Sequence, residues 1–419
     1  MQTPSRRAPL AFAPFLLVAF AASLPGCRNH GQALKAGQGT FIPKVDGSGA
    51  TAIAAGDAHT CAIFRDGSVR CWGSNWMGEA SGTRSNGTNV REPSVVEGAK
   101  GAVQIAAAGA HTCTRAGDGD IACWGANTGG ALDGKPSLGD RLGVRSAGVH
   151  AEDLSVGYGS TCGLVGGKGA CWGEADYGRL SSPWVNNGPI GSTGLRNLQP
   201  PRPLEGVSGL RQISIGLNHG CGLLEDGAVS CWGLDNAGQL GRGDANRAHD
   251  GAPPDRVLGL DGVAQIHASG FVTCALRIDG TAWCWGRNDQ HALGTSVTSL
   301  PTRGGGPSSA SPLRVEGLDG AIQVAVGGDH ACAVTGGGRA FCWGHNDAGQ
   351  LGDGTTEDRP TATAVVGLDG VAQIAVGTAS KSSHTCALTR GGAVYCWGKN
   401  REGALGVGKD SLVPARVPL

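Results

Sequence analysis

Short apolar runs, never long ones, set the rhythm of this chain. Stretches such as "PDRVLGLDGVAQIHASG" (254–270) and "PLRVEGLDGAIQVAVGG" (312–328) gather Val, Ile, Leu and Ala into brief clusters broken by Gly, Asp and Asn. That pattern predicts strands joined by tight turns, and no stretch carries a helical period of useful length. The pattern also recurs. "HTCAIFRDGSVRCWG" (59–73) returns as "HTCTRAGDGDIACWG" (111–125), "STCGLVGGKGACWG" (160–173) and "HGCGLLEDGAVSCWG" (219–233). It continues as "VTCALRIDGTAWCWG" (272–286), "HACAVTGGGRAFCWG" (330–344) and "HTCALTRGGAVYCWG" (384–398). Successive copies lie 49 to 59 residues apart. A Pro-led run precedes each hairpin, and a turn such as "WGHNDAGQLGDGT" (343–355) or "WGLDNAGQLGRGD" (232–244) follows it. Each unit therefore reads as about four strands. Seven such units predict an all-β fold, a seven-bladed β-propeller with four-stranded antiparallel blades.

Hairpin register decides what the cysteines do. A three-residue loop ending in Gly, as in Arg65-Asp66-Gly67, Glu225-Asp226-Gly227 and Ile278-Asp279-Gly280, suits a type I turn closed by a left-handed Gly. Counting outward from Phe64 and Ser68 sets Cys61 opposite Cys71 at a non-hydrogen-bonded site, where side chains approach most closely. In the third copy the cysteines are one residue nearer; a two-residue Gly166-Gly167 turn restores the opposition of Cys162 and Cys171. The expectation is one cross-strand disulfide per blade: Cys61–Cys71, Cys113–Cys123, Cys162–Cys171, Cys221–Cys231, Cys274–Cys284, Cys332–Cys342 and Cys386–Cys396. Zinc would want ligands paired two to four residues apart, and a redox centre Cys-x-x-Cys; neither spacing occurs.

Composition sharpens the compartment. Lys+Arg and Asp+Glu both number 34, so no basic field draws nucleic acid. Fifteen cysteines argue against a reducing cytosol. The N-terminus has Arg6 and Arg7, an apolar run from Leu10 to Ala22, and small residues before Cys27. It reads as a signal peptide over 1–26, too short and Pro-interrupted for a membrane span. "LPGC" resembles a bacterial lipobox, although Pro25 stands where a small or aliphatic residue is usual; Cys27 is then the lipidated residue. The expected organisation is signal peptide 1–26, lipid-anchored linker 27–41 and propeller 42–419. The expected location is the cell envelope, at the outer membrane or cell surface, or outside the cell. "FIPKV" (41–45) and "VPARVPL" (413–419) both resemble the Pro-led strand, so the terminal strands should share a blade or lie in adjacent ones.

The repeat, with its Gly-x-x-His lead-in, Asp-Gly turn, Trp-Gly and Gly-Gln-Leu-Gly, resembles the regulator of chromosome condensation repeat over about residues 42 to 419. The resemblance implies a seven-bladed propeller and protein binding on a propeller face. The eukaryotic founder is an exchange factor for a nuclear small GTPase, and secreted bacterial relatives include a β-lactamase inhibitor. A signal peptide, a disulfide in every blade and the lack of a basic patch set this chain beside the exported bacterial lipoprotein type.

His59, His111, His219, His330 and His384 share one place in five blades, with Ser160 and Val272 in the others. They lie on a ring, so local hydrogen bonding within each blade is expected rather than a convergent site. Trp72, Trp124, Trp172, Trp232, Trp285, Trp343 and Trp397 should pack between blades. No catalytic motif, cofactor or metal site stands out, and "DGTTED" (353–358) reads as a surface turn. Binding is sought where the repeat lapses: Trp76 and Met77 in the first blade, and Tyr177, Arg179, Trp184 and Arg196 in the insertion 174–206. Loops 133–150 and 295–312 rank next. A protein or peptide partner for a monomeric binding scaffold is the leading reading. An envelope polysaccharide is the alternative, and a propeller lyase or hydrolase stands third.

Overall fold

The computed structural model describes residues 49–83, 88–135, 143–180, 198–244, 251–296, 306–379 and 383–419. Within them the chain forms seven four-stranded antiparallel sheets, each built from consecutive strands. In the first blade these are β1 (Ala50–Ala55), β2 (His59–Phe64), β3 (Ser68–Gly73) and β4 (Val90–Lys100). The first strand of every blade packs beside the first strands of its neighbours and lines an axial channel. The fourth strand lies outermost. The second strand is buried throughout in the first blade, because it is covered on both faces by neighbouring blades.

The observed register matches the one read from the sequence. Cys61 opposes Cys71, Ala62 opposes Arg70 and Ile63 opposes Val69. In the third blade Val165 opposes Lys168 and Cys162 opposes Cys171, with Gly166 and Gly167 at φ 55° and 71° in the two-residue turn. All seven cysteine pairs lie at disulfide distance, with Cα separations of 4.0 to 4.1 Å. That short spacing is the mark of a non-hydrogen-bonded pair.

The hydrophobic core is divided into seven clusters, each holding one repeat tryptophan. Each tryptophan inserts against the preceding blade. In six of the seven the indole Nε1–H also donates to the turn of that blade, as Trp124 to Glu79 O at 3.0 Å, Trp232 to Arg179 O at 2.8 Å, and Trp397 to Gln350 O at 3.0 Å; Trp72 Nε1 is buried without a partner among the described residues. The Gly-Gln-Leu-Gly turn has its sequence for this reason. Gly352 has φ 68°, and a Cβ there would stand 2.6 Å from Trp397 Nε1.

Five histidines stitch the interfaces, and here the structure corrects the expectation of bonding within each blade. His59 Nε2 meets Thr112 Oγ1 at 2.7 Å, and the pairs His111–Thr161, His219–Thr273 and His330–Thr385 follow. His384–Thr60, at 2.9 Å, joins the last blade to the first. Thr60, Thr161, Thr273 and Thr385 give their own hydroxyl protons to backbone carbonyls. Each of these four therefore accepts from its histidine, which fixes a protonated Nε2. Burial lowers the pKa of His59 and His111 to about 4, and of His219, His330 and His384 to about 3.

The ring closes through the packing of adjacent, complete blades. The seventh blade ends with its outer strand Ser411–Arg416, and Val417 is buried in a cluster with Ile53, Phe64 and Trp72 of the first blade. The segment "FIPKV" (41–45), Cys27 and the N-terminal signal lie outside the described residues.

Candidate functional site

Antiparallel order places the connections from first to second strand and from third to fourth strand on one face. The short hairpin turns that follow the second strands emerge on the opposite face. Every insertion named from the sequence is a third-to-fourth connection, and the described residues that lead into each one leave the blade on the first face, here called the loop face.

The turn at the head of the loop shares one bond in six of the seven blades. The Asn or Asp side chain accepts from the backbone five residues on, as in Leu351 N–H to Asn346 Oδ1 at 3.0 Å and Leu240 N–H to Asp235 Oδ1 at 3.1 Å; the third blade has Ala175 in that place. In the fourth and sixth blades a Gln side chain also accepts from the residue two before it, as in Ala348 N–H to Gln350 Oε1 at 2.9 Å. A rigid frame thus presents the two residues at the tip of each turn.

In the first blade those tip residues are Trp76 and Met77, 55% and 37% exposed. Glu79, buried, replaces the glutamine and accepts from Met77 N–H at 2.7 Å and Ser74 Oγ at 2.5 Å. In the third blade the tip is Asp176-Tyr177, with Tyr177 45% exposed at φ 56°. A left-handed backbone is costly for a tyrosine; the turn is closed across it by Arg179 N–H donating to Asp176 O at 3.3 Å.

Arg179 itself corrects the sequence reading. It is not a surface contact but only 3% exposed, with Nη2 3.1 Å from Glu174 and 3.7 Å from Asp176, and Nη1 donating to Tyr158 O at 2.6 Å. "YGRL" (177–180) is the third copy of "AGQL", and Arg179 fills the glutamine position; its carbonyl receives Trp232 as the glutamine carbonyls receive theirs. Trp184 and Arg196 lie outside the described residues.

Sequence reasoning missed Tyr158. This residue follows the inner strand of the third blade, where other blades place Asp57, Gly109, Leu217 or Thr378. It is 42% exposed, passes over Gly109 and donates its hydroxyl to the Asp57 carboxylate of the first blade. Burial and the Asp57 charge both raise its pKa, keeping it a donor. Thr378 Oγ1 donates to the other Asp57 oxygen at 2.6 Å and accepts from Gly109 N–H at 3.0 Å. Four blades therefore meet around Asp57 at the channel mouth. The signal was available in "VGYGST" (156–161), an aromatic between two glycines where the repeat has none.

The histidine–threonine pairs were legible too. Where the histidine position holds Ser160 or Val272, the partner position in the next blade holds Gly220 or Ala331 instead of threonine. Ser160 Oγ is accordingly buried without a hydrogen-bond partner.

Comparison with known proteins agrees with this architecture. The profile of the RCC1-like domain matches residues 26–380, and two profiles of the regulator of chromosome condensation (RCC1) repeat match 371–404 and 391–419. The chain is 30% identical over 330 residues to the E3 ubiquitin-protein ligase HERC2 of Mus musculus, covering 76% of this chain and 6% of that protein. It is 35% identical over 212 residues to the ultraviolet-B receptor UVR8 of Arabidopsis thaliana, covering 49% of this chain and 45% of that one. Both matches span less than half of the relative's length. Prp20p from Saccharomyces cerevisiae superposes with a TM-score of 0.67 at 22% identity, over 78% of this chain and 80% of that one. Seven disulfide-stapled blades, their inter-blade tryptophans and the matched profiles together make this chain a member of the RCC1-like domain family.

Proposed function

We propose that this chain is a non-enzymatic binding scaffold that takes a protein or peptide partner on its loop face. One observation carries the reading. Among the described residues the exposed aromatics are Trp76, Tyr158 and Tyr177, and all three stand on that face, in the first and third blades. Aromatic side chains on a rigid frame are the usual anchors of protein interfaces. The opposite face exposes single aliphatics instead, among them Val103, Val165, Ile278 and Ile322, each on a different blade. Isolated exposed aliphatics need no functional explanation.

Relatives support the reading by likeness. The structures of Prp20p were solved in work on its binding to Gsp1p and histones, and with Kap60 bound. The five interface histidines of this chain are buried and committed to neighbouring threonines, so none is placed to serve as an acid or base for a substrate. The charge-rich start, apolar run and Cys27 support an exported, lipid-anchored protein in the cell envelope, with the propeller occupying 42–419. Seven disulfide pairs suit the same oxidising side of the membrane.

The test is capture from envelope extracts on the immobilised full chain, followed by titration of the identified partner, remade pure. Trp76→Ala with Tyr177→Ala should weaken that binding by about tenfold or more at an unchanged melting temperature, while Ile278→Ala should bind as the parent does. Equal binding by all three would remove the loop face from the account. Binding to a glycan array with no protein partner would favour the envelope polysaccharide, whose sugar rings also stack on Trp and Tyr.

A further inference from the structure

The axial channel is lined by the inner strands of all seven blades. In a strand with one neighbour, alternate residues turn both N–H and C=O to the open edge. On β1, Gly56 N–H bonds to His59 O on the sheet side, so Ile53 and Ala55 are the residues whose backbone faces outward. Two tiers of backbone edges therefore ring the channel.

The first tier is answered by the chain's own carboxamides. Gln373 Oε1 accepts from Ile53 N–H at 3.0 Å and its Nε2 donates to Ile53 O at 3.1 Å. Gln323 clasps Ile374 in the same way, at 2.8 and 3.0 Å. Gln212 and Gln265 accept from Ile266 and Val324 at 2.8 and 2.9 Å. One carboxamide per edge is thus the protein's own solution for this backbone geometry.

The second tier divides into two arcs. In three consecutive blades the residue opposite the first cysteine serves the next blade: Ser155 accepts from Ile215 N–H at 3.1 Å, Ser214 from Ala268 N–H at 2.8 Å, and His267 Nδ1 from Val326 N–H at 3.2 Å. The corresponding residues in the other four blades are Ala325, Ala375, Ala54 and Ala106. A methyl group accepts nothing. The edges they would serve belong to Val376, Ala55, Ala107 and Val156, which form one continuous arc over the seventh, first, second and third blades and line the channel. Beneath the mouth formed by Asp57, Tyr158 and Thr378, this arc offers paired donors and acceptors on an alanine wall.

We infer that this arc is a binding site for amide groups, taking a peptide backbone or an Asn or Gln side chain of a ligand that reaches into the channel. Each edge pairs one N–H with one C=O, which a carboxamide matches twice and a carboxylate or ester only once. Ile53 and Ile374 show the match already made within the fold. This goes beyond the loop-face reading and does not depend on it, since the test needs no macromolecular partner.

The experiment titrates the ¹⁵N-labelled full chain with N-acetylglycinamide, against sodium acetate and methyl acetate as comparators. The N–H resonances of Ala55, Ala107, Val156 and Val376 should move saturably, about threefold further than those of Ile215, Ala268 and Val326, because only the former lack a protein acceptor at their side-chain position. The comparators should move them less. The variant Ala54→Ser, Ala106→Ser, Ala325→Ser, Ala375→Ser extends the Ser155 and Ser214 solution to the four blades that lack an acceptor and should abolish the response while the protein stays folded. If that variant does not fold, Ala106→Ser alone should silence Val156 and leave the other three responding. Equal movement of all seven resonances, no movement, a larger response to acetate, or a response that survives the serines would each overturn the inference.

Discussion

Trp72 and Trp76 stand four residues apart and do opposite things. Trp72 is fully buried between the last blade and the first, and repeats in every blade. Trp76 is more than half exposed at the tip of a loop, and no other blade has a tryptophan there. The contrast separates the molecule into a sevenfold interior, where each residue type is fixed by a neighbouring blade, and a loop face, where the same frame carries different side chains. Repetition marks what holds the ring together. Departure from it marks what the ring can present.

If the interior holds the ring, its disturbance should dominate stability. Acidification acts on all five interface histidines at once. Above pH 6.5 they are neutral in both folded and unfolded chains. Between about 6.5 and 4 the unfolded chain binds protons that the folded one refuses, because burial holds the native values near 3 to 4. Stability should therefore fall by several kcal/mol across that window, as denaturant melts at stepped pH will register. Trp397→Ala removes a fully buried indole and its bond to Gln350, and should cost about 3–5 kcal/mol in the same assay. Replacing Cys221 and Cys231 together by Ser should cost about 2–3 kcal/mol for so short a loop. Smaller still, Val272→His with Ala331→Thr would give the fifth and sixth blades the pair they lack and should add about 1 kcal/mol. At the far end, Trp76→Ala should change stability by no more than about 0.5 kcal/mol. A large loss there would collapse the distinction between the two tryptophans.

Much of this was legible in the sequence because the repeat multiplies each signal seven times. The Cys61–Cys71 register follows from the Asp66-Gly67 turn, and the shortened third hairpin from Gly166-Gly167. Inter-blade contacts were harder to see, since a single unit read alone hides its partner. The histidine bonds were expected inside each blade, yet the alternation of Ser160 with Gly220 and of Val272 with Ala331 already pointed across the interface. Arg179 was misread for the opposite reason: an arginine in an irregular loop looks available, whereas its place in "YGRL" puts it at a buried repeat position. Tyr158 escaped notice because its bond to Asp57 arises only when four blades are brought around one axis.

The central claim is that binding belongs to the loop face. Hydrogen exchange of the full chain with and without its captured partner tests this most directly. Protection confined to residues 74–80, 157–159 and 174–180, with the opposite turns 65–67, 225–227 and 278–280 unchanged, is the predicted result. Protection of those turns, with the loop residues left unchanged, would contradict it.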